Sequence, residues 1–76
     1  MNSYYETINN IELSEEEIMT ISLLIKDEQE AIEGYNLAIN SGRYSDKVVK
    51  VLEHIRDEEA QHIQELEELK GETDNE

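Results

Sequence analysis

The sequence contains no cysteine, proline, tryptophan or phenylalanine, and only three glycines. Without cysteine, the chain cannot form disulfide scaffolds, thiolate zinc sites, iron–sulfur clusters or thiol nucleophiles. Without proline, and with four tyrosines as its aromatic residues, it does not fit a turn-rich β-sandwich or barrel. These absences favour a small helical protein.

Basic residues are also scarce, because six Lys and Arg face 20 Asp and Glu and give a net charge of −14 over 76 residues. So acidic a chain does not suit nucleic acid or an anionic membrane as a partner. No stretch approaches the ~18 apolar residues of a membrane span, and the N-terminus shows no basic region followed by an apolar run. We therefore expect a soluble, cytoplasmic protein that binds neither nucleic acid nor membrane.

A capping box predicts the start of the first helix. The Ser14 hydroxyl can accept from the backbone N–H of Glu17, whose carboxylate can reach back to the N–H of Ser14. Helical periodicity then continues to Asn40, and Gly42 can adopt the left-handed conformation that ends a helix. The prediction is a helix of roughly 26 residues, about 40 Å long.

Ser45 is predicted to cap a second helix, which continues to Lys70 with Gly71 as its terminator. A connection of about four residues makes the two helices antiparallel neighbours. The predicted organisation is an N-terminal arm over 1–13, a helical hairpin over 14–70 and a polar tail over 71–76. Four side chains of the arm could dock onto a helix or a neighbouring subunit: Tyr4, Tyr5, Ile8 and Ile11.

Ionisable residues stand at the centres of both apolar stripes. With ~100° per residue, Glu28 lies at the centre of the first stripe and Glu59 at the centre of the second, with His62 within about 60° of Glu59. The first stripe comprises Ile21, Leu24, Ile25, Ala31, Ile32, Tyr35 and Ile39. The second comprises Val48, Leu52, Ile55, Ile63 and Leu66.

Carboxylates on a buried face require a partner, a proton or a metal ion, because an unpaired buried charge is costly. No lysine or arginine lies on either stripe. Lys26, Arg56 and Lys70 lie away from the stripe centres or at a helix end. Protonation or metal binding therefore remains.

Two helices cannot enclose a core, whereas two paired hairpins form a four-helix bundle that shuts both stripes from water. Two copies would supply four carboxylates and two imidazoles from Glu28, Glu59 and His62, which is the ligand set of di-iron carboxylate bundles. Four carboxylates would also neutralise two divalent cations. We therefore expect an all-α hairpin that dimerises into a four-helix bundle.

Two motifs carry a family resemblance. Glu28 with Tyr35 on the first helix, and Glu58-Glu59-Ala60-Gln61-His62 on the second, resemble the ferroxidase motifs of the ferritin-like superfamily. The short hairpin with a single ligand set is most similar to the encapsulated ferritins. The resemblance implies a di-iron site shared by two chains, with Glu28, Glu59 and His62 as ligands. It also implies that the Tyr35 hydroxyl hydrogen-bonds a ligating glutamate.

The resemblance implies ferroxidase activity as well, in which dioxygen oxidises Fe(II) to Fe(III) for storage or detoxification. Family members carry acidic residues that collect cations near the site, at the positions of Asp27 and Glu30 here, and they form larger even-numbered homo-oligomers. Many end in an apolar peptide that docks inside an encapsulin shell, whereas residues 72–76 are polar. Two interpretations follow: a docking peptide outside this sequence and a location inside an encapsulin nanocompartment, or a protein that works without a shell.

Two other functions remain open. A non-catalytic acidic interaction module would account for the charge but not for the carboxylates at the stripe centres. A ferritin-like di-metal protein with manganese or peroxide chemistry would use the same ligands for another task.

Two further features lie away from the stripes. His54 lies roughly 120° from the second stripe's centre, and we expect it to pair with Glu58 at the surface. Met19, Leu23 and Leu37 lie opposite Glu28 and are either scattered surface residues or a second interface between dimers, which we favour.

Overall fold

The computed structural model describes residues 13–74, which form two α-helices joined by a short loop. Helix α1 spans Glu15–Asn40 and helix α2 spans Asp46–Asp74. The described part of the chain contains no strand. The predicted all-helical hairpin is therefore confirmed. The predicted arm contacts of Tyr4, Tyr5, Ile8 and Ile11 lie outside the described residues.

The capping box at the start of α1 is confirmed. The backbone N–H of Glu17 donates to Ser14 Oγ at 3.1 Å, and the backbone N–H of Ser14 donates to Glu17 Oε1 at 2.8 Å. Three glutamates occupy the first turn, where their charge complements the positive end of the helix dipole. Local chemistry alone accounts for where α1 begins.

The loop between the helices is held by its own hydrogen bonds. The Ser41 backbone N–H and hydroxyl both donate to the carbonyl of Ala38, at 3.3 Å and 2.7 Å. Gly42 follows with φ of 75°, the left-handed conformation expected at this position. Ser45 then caps α2, since its Oγ accepts from the backbone N–H of Val48 at 3.3 Å.

The prediction that Gly71 ends α2 is wrong, because the helix continues through Gly71 to Asp74. A glycine ends a helix by adopting a positive φ, and among the described glycines only Gly42 does so. A glycine inside a helix costs only about 1 kcal/mol relative to alanine. No proline follows to forbid the next turn, so the helix propagates.

The hairpin encloses a thin core. Ile21 and Ile25 are the buried hydrophobic residues of the described chain, at 7% and 8% exposure. On the helical wheel they lie on the half of the α1 stripe that turns toward α2. The opposite flank of both helices faces away on one side of the hairpin, and we call this side the open face. On the helical wheel, four exposed apolar residues lie on it: the stripe members Leu24 and Val48, and the neighbouring Val51 and Leu69.

Candidate metal centre

The three predicted ligands come together at the middle of the hairpin. Glu59 and His62 lie one turn apart on α2, so their side chains project from one face of the helix. His62 Nδ1 lies 3.3 Å from Glu59 Oε1 and 3.5 Å from Glu28 Oε2, which belongs to α1. One ligand atom from each of the three residues lies within 4.8 Å of the other two. We call these residues the triad.

The triad lies where the packed interface between α1 and α2 meets the open face. The Glu28 and Glu59 side chains are 26% and 22% exposed, whereas the His62 side chain is 53% exposed. The expectation that all three lie on the buried face therefore holds in part for the single chain. The carboxylates are largely covered, and the imidazole reaches the open face, where two helices leave it uncovered.

Crowding of the two carboxyl groups changes the acidity of Glu28. The pKa of Glu28 is raised above its ordinary value, first by a hydrogen bond with the Glu59 carboxyl, then by loss of water around the side chain, then by the charge of Glu59. The charge and hydrogen bond of His62 act in the opposite direction. The two carboxyl groups therefore disfavour carrying a negative charge at the same time.

No lysine or arginine relieves that charge among the described residues. The ion pairs of Glu28 and Glu59 are both with His62. Arg56 donates instead to Asn36 Oδ1 at 3.0 Å, across the helix interface. Within residues 13–74, the stripe-centred acids thus form no ion pair with a lysine or arginine.

The donor set fits a divalent cation. Carboxylate oxygens and an imidazole nitrogen bind such ions at about 2.0–2.2 Å, so neighbouring ligand atoms in a coordination shell lie about 3–3.5 Å apart. His62 Nδ1 lies 3.3 Å from Glu59 Oε1 and 3.5 Å from Glu28 Oε2, which matches that spacing, so small side-chain adjustments would bring the three donors onto one ion. Three ligands leave further coordination positions for water, substrate or a second chain.

The other predicted site residues lie apart from this cluster. Tyr35 is half-buried on α1, and among the described residues its hydroxyl makes no hydrogen bond to the triad, so its role stays a prediction. Asp27 and Glu30 are exposed and are not part of the metal-ligand group. His54 pairs with Glu58 at 3.3 Å with both side chains exposed, which confirms its predicted surface position.

Two hydrogen bonds that cross between the helices were not predicted from the sequence. Arg56 Nη1 donates to Asn36 Oδ1, and Lys70 Nζ donates to Ser22 Oγ, each at 3.0 Å. The signal was present, since Ser22 and Asn36 lie about 80–120° from Glu28, on the flank of the stripe that packs against α2. Polar residues on that flank need partners from the facing helix.

Comparison with models of known protein families, with curated proteins and with solved structures finds no match to this chain. Neither described helix combines the length and apolarity needed to cross a membrane.

Proposed function

We propose that two copies of this hairpin pair through their open faces into a ferritin-like four-helix bundle that oxidises Fe(II) with dioxygen. Glu28, Glu59 and His62 of each copy bind the iron, so two chains together hold two ions. The product is Fe(III), for storage or detoxification. Assembly of such dimers into a larger even-numbered oligomer, in the cytoplasm or inside an encapsulin shell, belongs to the same proposal.

One observation carries the proposal: two carboxylates and an imidazole converge within 4.8 Å without a lysine or arginine partner among the described residues. Carboxylates crowded in this way normally take up a proton or a cation. The raised pKa of Glu28 reflects that need. A divalent cation satisfies both carboxylates at once, which a single proton does not.

The open face supports the pairing of two copies. Leu24 and Leu69 are exposed toward one end of the triad, and Val48 and Val51 toward the other. A second copy that covered these residues would remove apolar surface from water and close the core. Four clustered carboxylates would oppose this association, and two divalent cations would cancel their charge. The same ions would therefore serve as substrate and as part of the interface.

The residues divide the chemistry between them. Oxidation of two Fe(II) ions supplies two electrons to one dioxygen, which leaves as hydrogen peroxide after taking up two protons. Glu28 and Glu59 favour the product because hard, anionic oxygen donors stabilise Fe(III) over Fe(II). His62 supplies an imidazole nitrogen one turn from Glu59, so the two ligands project from the same face of α2. Asp27 and Glu30 would concentrate cations outside the site, and Tyr35 would hydrogen-bond a ligating glutamate.

A rate measurement with two matched variants tests the activity. We expect the wild-type protein to oxidise Fe(II) faster than buffer, Glu59→Ala to abolish the added rate and His54→Ala to leave it nearly unchanged. Both variants remove one α2 side chain that contacts a neighbour on the same helix, but only Glu59 belongs to the triad. Equal losses from both variants would mean that the site is misplaced.

Elemental analysis of purified protein, together with its mass in solution, separates the proposal from its alternatives. About one metal ion per chain in an even-numbered assembly is expected. An interaction module would retain no metal after gel filtration, and its assembly would not respond to chelators. A manganese or peroxide enzyme would retain the metal but add nothing to the rate of Fe(II) oxidation.

A further inference from the structure

Arg56 is the basic residue placed to compete with a metal ion for Glu59. It precedes Glu59 by three residues on α2, and oppositely charged residues at that spacing meet on a helix surface. An ion pair there would occupy carboxylate oxygens and place a positive charge beside the triad. The described structure shows no such pair: Glu59 contacts His62, and Arg56 bonds other groups.

Two acceptors hold the Arg56 guanidinium elsewhere. Its Nη1 donates to Asn36 Oδ1 at 3.0 Å, a half-buried bond that crosses to α1. Its Nε donates to Asp57 Oδ1 at 3.2 Å, and Nη2 lies 3.2 Å from the same oxygen. The planar guanidinium presents its donors in fixed directions. Asn36 and Asp57 bind two of its edges and therefore fix the orientation of the guanidinium.

Resting on the proposed function, we infer that Asn36 is a positioning residue that keeps Arg56 away from Glu59, so that the carboxylate stays available to the metal ion. Asn36 suits this role because its amide oxygen is neutral. An aspartate here would hold the guanidinium equally well but would add another carboxylate to a crowded interface. Asn36 thus acts on the triad through Arg56, without touching the metal.

The hydrogen bond between Lys70 and Ser22 provides the matched control. It also crosses the helix interface at 3.0 Å, is half-buried and joins a basic donor to a neutral oxygen. Both bonds fit the same antiparallel alignment of the helices, because Ser22 precedes Asn36 on α1 by as many residues as Lys70 follows Arg56 on α2. Lys70 follows Glu59 by 11 residues, about 16 Å along the helix, and is too distant to pair with it.

Zinc titration of metal-free protein compares four variants: Asn36→Ala, Ser22→Ala, Arg56→Gln and the double variant Asn36→Ala/Arg56→Gln. Asn36→Ala should weaken Zn(II) binding about tenfold, within the range for groups that orient metal ligands. Ser22→Ala should lower the thermal midpoint to a similar extent but leave Zn(II) affinity unchanged.

Removing the positive charge in the double variant should restore the affinity, and Arg56→Gln alone should bind at least as tightly as wild type. Visible absorption of bound Co(II) should shift in Asn36→Ala and return in the double variant.

Each result decides the matter. Equal Zn(II) affinity in Asn36→Ala and wild type would overturn the inference and leave the proposed function standing. Equal weakening in Asn36→Ala and Ser22→Ala, with no recovery in the double variant, would show a purely structural role and would also overturn it. A wild-type protein that binds no metal would overturn the proposed function first. If Asn36→Ala loses its helical circular dichroism, Asn36→Leu replaces it, since leucine keeps the branching of asparagine at Cγ and lacks the acceptor.

Discussion

Glu28 Oε2 on α1 and His62 Nδ1 on α2 lie 3.5 Å apart. This contact joins the two helices at the level where Glu59 also approaches the imidazole. One imidazole thus faces two carboxylates, one from each helix. A single imidazole carries at most one positive charge, fewer than the two carboxylates that it faces.

Glu28→Gln should stabilise the metal-free protein at neutral pH. Because the pKa of Glu28 is raised in the folded state, the folded protein binds more protons here than the unfolded chain between the ordinary and the raised pKa. Stability from this group therefore falls as pH rises through that window and is regained on acidification. Glutamine imitates the protonated form. The gain should be present at pH 7 and should vanish below the ordinary glutamate pKa.

Denaturant unfolding of both proteins across that pH range, with chelator present and at one protein concentration, measures the difference. Glu30→Gln serves as the control, since it removes the same charge from an exposed position of α1. A gain equal in the two variants would assign the effect to net charge rather than to the contact with Glu59.

Zn(II) affinity should increase with pH, because the cation replaces protons on the triad and ligands must be deprotonated to bind. Calorimetric titration in two buffers with different ionisation enthalpies should detect proton release. Glu28→Gln should release fewer protons per ion bound and bind Zn(II) more weakly, even though it stabilises the metal-free fold. Affinity that does not change with pH would contradict binding at the triad.

Leu24→Glu should prevent the shift toward dimer that Zn(II) or Fe(II) is expected to cause. Leu24 is 45% exposed and lies on the open face, where a glutamate would be buried without a partner in the dimer. Leu37→Glu is the matched control, because Leu37 is 75% exposed and lies opposite Glu28. Gel filtration with and without metal reports the result.

A dimer that survives Leu24→Glu would refute pairing through the open face. Loss of only the larger species in Leu37→Glu would support the second interface that we predict for Met19, Leu23 and Leu37.

Gly42→Ala and Gly34→Ala should change stability in opposite directions. Gly42 has a φ of 75°, so an L-residue there costs about 1–2 kcal/mol. Gly34 lies inside α1 with no atom within 4 Å of an added Cβ, so alanine should stabilise by about 0.5–1 kcal/mol. Thermal unfolding of both variants checks the signs. A loss at Gly34 would indicate that a partner chain packs against that position.

Local chemistry in the sequence determined where the helices begin. Ser14 with Glu17, and Ser45 with its following turn, satisfy the free N–H groups of each helix start from neighbours within three residues. Gly42 ends the first helix for an equally local reason. At Gly71 the same reasoning failed, because a glycine permits a left-handed turn without requiring one.

Periodicity likewise predicted that Glu28, Glu59 and His62 lie on the inward faces of their helices, because the position of a residue in a helix fixes the direction in which its side chain projects. Their approach to within 4.8 Å depends on how α1 and α2 are aligned, which periodicity does not specify. The tertiary structure alone revealed that Asn36 pairs with Arg56 and Ser22 with Lys70. It alone also revealed that His62 remains more exposed than the carboxylates beside it. Helix direction follows from residues a few positions apart, whereas register and exposure arise only when two distant segments pack together.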